Sequence, residues 1–509
     1  MPKNAIALGA ALAALACATP QMASASASPP PAALNGETTS MKDLMEQGMA
    51  RMQANDPRGA VAKFRAVVDN PNFERLQPAA RYTTLTLLVS AECDTGDGVA
   101  AQKHLDQAGT TAPELRDLNY WEYALSIGYR LNTPDTIAEA VTKLATDYPE
   151  HLNDGDDRYL LAAIDRVKKH SGSDKYRAVL EALQSARYRP ANPFLYAEHL
   201  KMDLVRLYVD QGRIEAAKPL AQTLTEPYSI VSMQVDKRFA GFVPSGPDRY
   251  LQAGTDTVAT ARDLVAQHPG KIEAVHKLAE ALLDDDQPQE ALALTDATLA
   301  RVAAAPRNKP AFDDIDDQLA WMYDARRRIF EALGGWDEAV AAQIKARDLA
   351  KSDPVSQRSN LVKLYVDIGR PSDALAVLKT IDTTRMTPYG IATTEALRAC
   401  ANAQLGDQAG LSESLTVLKA HAEDSYDSLA SGLLCAGDID ALAALTIKRL
   451  EDPDQRIAVL IDMQTWQPPA HMTAYDKRIS QVRDAVYARP EVRAAALRYG
   501  VINSYPATR

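Results

Sequence analysis

The stretch Leu364-Tyr-Val-Asp-Ile-Gly-Arg-Pro-Ser-Asp-Ala374 decides how this chain reads. An apolar stripe runs up to Tyr365 and stops at Gly369. A second stripe opens at Ala374, five positions on. Glycine adopts a turn conformation without steric cost, and Pro371 suits the first turn of a following helix. The same interval returns at Gly96/Ala101, Gly212/Ala217, Gly334/Ala339, Gly406/Leu411 and Gly437/Leu442, with Asn55/Ala60 and Asp286/Ala291 as variants. Each pair sits between two stretches whose apolar residues recur at helical spacing. The repetition predicts an all-α fold, an α-solenoid of stacked antiparallel helical hairpins.

Around that stretch the repeats are uneven. Register is clean over 258–452, a C-terminal array, and looser over 41–225, an N-terminal array. Between them, 226–257 breaks the pattern. Ser229-Ile-Val-Ser-Met-Gln-Val235 is β-prone, and Pro244, Gly246 and Pro247 follow it. We therefore expect two arrays flanking an irregular insertion or hinge. Pro468-Pro469 sets off a tail, so 453–509 is expected to hold capping helices that cover the last repeat.

Composition agrees with a folded helical protein. Of 509 residues, 46% are hydrophobic and 24% charged, within the globular range. The net charge of −11, with no basic block, argues against nucleic acid and against anionic membranes as partners.

The N-terminus reads as an export signal over 1–27. Lys3 precedes an apolar run over 5–18, too short to span a bilayer, and Ala23-Ser-Ala25 and Ala25-Ser-Ala27 are small-x-small cleavage sites. A Ser/Pro/Ala-rich flexible tether is expected over 28–40. Ala14-Leu-Ala-Cys17 is similar to a bacterial lipobox, which would acylate Cys17 and anchor the chain. An ordinarily cleaved signal is preferred, making the protein periplasmic or secreted. Three cysteines then remain: Cys93, Cys400 and Cys435. Cys400 and Cys435 occupy similar places on successive repeats, so a disulfide is conceivable, but buried thiols in helix packing are the favoured reading.

Leu333-Gly-Gly-Trp-Asp-Glu-Ala339 and 364–374 resemble tetratricopeptide repeats, as do Tyr208, Phe330 and Tyr365 near the ends of first helices and the pair Ala60 and Phe64 in a second helix. The resemblance runs, with gaps, from Met41 to Leu450. The first-helix Trp and small Gly of that pattern are mostly missing, and Leu411 and Leu442 stand where it has Ala. In that family the first helices line a concave groove where peptides bind. The resemblance therefore implies a binding scaffold. Matching the helices by their turn-to-Ala spacing puts Arg206, Lys277, Arg328, Asn360 and Lys363 on the groove side. Cations and an amide along a groove suit a peptide carboxylate or an acidic segment. Asp203, Asp210 and Glu280 share that face.

Chemistry is sparse elsewhere. No GxSxG, GxxxxGK[ST], HExxH or GxGxxG is present. His104, His199 and His276 read as packing or surface residues. The acidic runs 153–157, 284–286 and 313–317 lack the ligand spacing of a calcium loop. Arg326-Arg-Arg328 reads as a solvated face with local ion pairs. The expected protein is a non-enzymatic exported scaffold with no cofactor or metal and a protein or peptide partner. A lipid-anchored envelope assembly factor is the alternative. An enzyme with its site near Phe239 and Phe242 in 227–257, or in the tail, is a third reading.

Overall fold

The computed structural model describes residues 36–506 apart from 154–156, 196, 307, 352–353 and 385. The expected signal segment, Cys17, residues 28–35 of the tether and most of the 153–157 acidic run lie outside the described residues. Among the described residues the chain is helical almost throughout, and no helix is long and apolar enough to cross a membrane.

The chain divides into two compact units, one ending at Leu207 and one running from Tyr208 onward. The N-terminal unit contains α1 (Gly36–Gln53), α2 (Pro57–Val68), α3 (Pro78–Thr95), α4 (Gly98–Thr111), α5 (Leu118–Leu131), α6 (Pro134–Asp147), the short α7 (Pro149–Leu152), α8 (Asp157–His170) and α9 (Ser173–Ser185). The boundary falls within α10 (Glu198–Asp210). Then follow α11 (Ile214–Ala221), α12 (Pro227–Val235), α13 (Asp248–Gln267), α14 (Ile272–Asp284), α15 (Pro288–Ala304), α16 (Ile315–Leu333), α17 (Trp336–Leu349), α18 (Pro354–Asp367), α19 (Pro371–Leu378), α20 (Pro388–Leu405), α21 (Gln408–Ala420), α22 (Tyr426–Ala436), α23 (Ile439–Glu451), α24 (Arg456–Asp462), α25 (Ala474–Tyr487) and α26 (Pro490–Tyr499). Within each unit most helices pack on their sequence neighbours, and first helices also pack on one another, α14 on α16, α18 on α20 and α20 on α22. That is the contact pattern of stacked hairpins.

The recurring interval is a backbone motif. All eight turn residues have positive φ, from 56° at Asn55 to 85° at Gly96. Each turn closes with the same amide-to-carbonyl bond across five residues, such as Arg370 to Tyr365 (2.7 Å), Asp97 to Glu92 (2.9 Å) and Asp438 to Leu433 (3.1 Å). This bond satisfies an orphan carbonyl at the end of the first helix and requires a left-handed residue just beyond it. Five residues on, Ala60, Ala101, Ala217, Ala291, Ala339 and Ala374 are fully buried, and Leu411 and Leu442 nearly so. In four turns the next residue is Asp, which caps the second helix. Asp56, Asp97, Asp407 and Asp438 accept from the amides of Gly59, Ala100, Gly410 and Ala441 at 2.9–3.1 Å. In two others it is Arg, which lies over the first-helix tyrosine: Arg213 on Tyr208 and Arg370 on Tyr365. A ninth turn of the same form joins α5 to α6, with Asn132 at φ 55° and Ile137 at the buried position.

Three expectations are corrected. First, α1 begins at Gly36, so 36–40 belong to a helix and not to the tether. Second, the β-prone run 229–235 lies in helix α12. Ser229, Ile230, Val231, Ser232, Met233 and Val235 are all buried, so the run is apolar because it is enclosed on several sides; periodicity cannot separate such a helix from a strand. Third, Cys400 and Cys435 form a disulfide between α20 and α22, with Cα atoms 5.0 Å apart. Cys93 is a buried thiol, as expected.

Residues 226–257 have a structural task. The C-terminal unit closes on itself, because α12 packs on α24. The Val501 amide donates to the Val235 carbonyl (2.9 Å), and the Tyr505 hydroxyl to Gln234 (3.0 Å). A two-stranded parallel sheet pairs β1 (Thr465–Trp466) with β2 (Ser504–Tyr505). Trp466 stacks on Tyr505, and Tyr250 of α13 meets both rings edge-on.

Candidate functional site

Four of the five residues expected on the groove side share one run of first helices. Lys277 on α14, Arg328 on α16, and Asn360 and Lys363 on α18 lie on successive first helices, and each is tied to a carboxylate of the same face. The Lys277 ammonium is 3.8 Å from Glu280. Arg328 reaches back to α14, 2.9 Å from Glu280 and 3.7 Å from Asp284. The Asn360 amide donates to Asp324 at 2.9 Å. Lys363 pairs with Asp367 one turn on. Arg206 belongs to the N-terminal unit. There it lies 3.5 Å from Asp203, a buried carboxylate that also takes bonds of 2.6 Å from Lys168 and from the Tyr176 hydroxyl.

Sequence reasoning missed the centre of this network. Arg327 is buried, bonded to Glu331 at 2.8 Å and paired with Asp324 at 3.3 Å. Burial opposes its charge, but the two carboxylates overcome that and hold the guanidinium above its ordinary range. The basic triplet therefore divides three ways: Arg326 to Asp296, Arg327 into the first-helix row, and Arg328 across to α14. The spacing of three and four residues among Asp324, Arg327 and Glu331 was the available signal.

His276 lies 3.9 Å from Glu280. Burial depresses its basicity, against the pull of Glu280. Burial alone would raise Glu280, but His276, Arg328 and Lys277 together hold it below the ordinary carboxylate range. In all, Lys277, Arg327, Arg328 and Lys363 face Glu280, Asp284, Asp324, Glu331 and Asp367. The face is a mixed array of four cations and five carboxylates, so the carboxylates that share it outnumber the cations.

An added helix lies beside this network. Preceded by Pro468-Pro469, α25 opens with a capping box between Thr473 and Asp476. Its Tyr475 and Ile479 pack against a core cluster that runs from Ala339 through Leu361, Leu364 and Tyr365 to Cys400 and Cys435. Arg478 donates to the Cys435 carbonyl at 3.2 Å. His471, just before the helix, sits against the Gly334 turn, where a β-carbon on Gly334 would lie 2.8 Å from the imidazole. The segment thus meets the Gly334 turn through His471, and α25 packs on α18, α22 and α23.

Phe239 and Phe242 pack edge to face within the core. Among the described residues no group of three or more His, Cys, Asp or Glu is placed to hold a metal ion.

No family model and no curated protein match the chain. Among solved structures it is similar to a tetratricopeptide repeat protein from Parabacteroides merdae, at TM-score 0.29 and 14% identity over 64% of this chain and 98% of that one. It is also similar to the APC/C hetero-tetramer Cut9–Hcn1, at TM-score 0.26 and 12% identity over 91% and 97% of the two chains. A third is Naa15/Naa10 bound to HypK-THB, at TM-score 0.28 and 14% identity over 91% of this chain and 72% of that one. The all-α assignment rests on the hairpins themselves.

Proposed function

We propose that this protein is an exported, non-enzymatic repeat scaffold that holds a peptide or protein segment against the first-helix face of its hairpins. The observation that carries this reading is α25. A helix outside the recurring interval, amphipathic through Tyr475, Ile479 and Val486, is held against α18, α22 and α23 of the hairpins. Helix-in-groove recognition uses that same apolar spacing. The mixed charges on α14, α16 and α18 offer the adjoining polar surface.

The disulfide supports export, since such bonds persist in oxidising compartments. Mass spectrometry of the mature N-terminus separates the two exported forms: cleavage after Ala25 or Ala27 fits a free scaffold, and an acylated Cys17 fits a lipid-anchored assembly factor.

The binding reading is tested by selecting peptides from a random display library on the full chain. The selected peptides are then measured against a chain carrying Lys277→Glu, Arg328→Glu and Lys363→Glu, its helicity checked by circular dichroism. Loss of binding is expected. Unchanged binding to the altered chain would remove the first-helix face as the site.

A further inference from the structure

Resting on the scaffold reading, we propose that residues 467–487 are a displaceable strap covering a helix-binding surface, and that the partner is an amphipathic helix with an aromatic anchor followed by aliphatic anchors four, seven and eleven residues on.

The strap supplies the template. Tyr475, Ile479, Val482 and Val486 form one stripe of α25, yet only Val486 is fully buried. By contrast, α14 and α20 each bury seven residues. A helix with so little apolar burial opens at low cost while its surroundings stay folded.

Both ends of the strap are anchored without it. On one side Trp466 is fixed by the β1–β2 pairing, the ring stack on Tyr505 and a bond of 2.9 Å from its indole to the Ile461 carbonyl. On the other, Arg489 pairs with Asp440 and Glu491, and α26 packs on α23. The strap can lift without releasing the C-terminal closure.

The floor is firm enough to receive such a helix, because the Cys400–Cys435 disulfide ties α20 to α22 directly beneath Tyr475.

The test uses the full chain and a labelled synthetic peptide of sequence 471–489, read by fluorescence anisotropy. In the wild-type chain the resident strap competes. If the strap is open about a tenth of the time, Ile479→Asp in the chain tightens peptide binding about tenfold. Tyr475→Ala in the chain is a second, independent way to loosen the strap. Equal peptide binding by wild type and both variants overturns the proposal. So does no binding to either variant while hydrogen exchange shows the hairpins intact and the strap undocked. Either failure leaves the scaffold reading standing if library-selected peptides still bind the wild-type chain and lose affinity on charge reversal.

Discussion

The hydroxyl of Tyr475 lies 2.9 Å from the sulfur of Cys435, so the first anchoring residue of α25 rests on the disulfide that joins α20 to α22. One contact thereby links the covalent brace of the repeat array to the helix that packs across α18, α22 and α23.

Removing that brace should weaken the C-terminal unit. The bridge spans 35 positions, and loop-closure entropy for such a span amounts to about 3–4 kcal/mol. The Cys400→Ser/Cys435→Ser chain should unfold at lower urea concentration by that amount, and wild type under a dithiol reductant should match it. Equal midpoints would show that packing alone holds α20 to α22.

The turn glycines should separate by environment. Gly369 has φ 74° and open space around its missing β-carbon, so Gly369→Ala costs only the left-handed conformation, about 1 kcal/mol. Gly369→Asn should cost less, because Asn visits that region more readily. Gly334→Ala carries the same backbone cost and also meets His471, so it should cost more and speed hydrogen exchange in 467–473. Urea titration of the three variants checks the order.

Glu280 links three partners, and its effect has a definite sign. Its carboxyl is depressed in the fold, so it contributes stability above its ordinary value of 4.5 that is lost as pH falls through the lower folded value. Glu280→Gln should reduce stability at neutral pH by about 2 kcal/mol, leaving Arg328 and Lys277 without their shared charge. It should also flatten the acid limb of the stability profile. An unchanged acid limb would place the sensitivity at other carboxylates.

Buried tyrosines should govern the alkaline limb. Burial pushes the Tyr123 phenol up to about 12, and burial with a nearby carboxylate raises Tyr82, Tyr176, Tyr188 and Tyr475 as well. A raised folded value contributes stability that is present below 10.0, the ordinary value, and disappears as pH rises through the folded one. Phenolate absorbance should therefore rise in two stages, the second coinciding with loss of helicity. A single stage near pH 10 would contradict these assignments.

The hairpin turns were legible because their determinants are local: a residue that tolerates positive φ, and a small or aliphatic residue five places on. Asn132-Thr133-Pro134 marks the α5/α6 turn as well, and it stands outside the recurring interval only because Ile137 occupies the buried position where the others have Ala or Leu. Ion pairs within one helix, such as Asp324–Arg327–Glu331, follow from spacing. The bonds from Arg328 to Glu280 and from Asn360 to Asp324 do not, because they depend on how neighbouring helices are rotated. The disulfide was undecided for the same reason, since similar repeat positions do not fix a Cα separation. Residues 229–235 misled because a fully enclosed helix has no polar face, and the surroundings that enclose it come from the far end of the chain.

Hydrogen exchange on the full chain, with and without the tightest library-selected peptide, tests the scaffold claim most directly. The account predicts new protection on α14, α16 and α18, around Glu280, Arg328 and Lys363, or along the floor vacated by α25. Protection confined to the second helices α15, α17 and α19, or to the unit ending at Leu207, would contradict it.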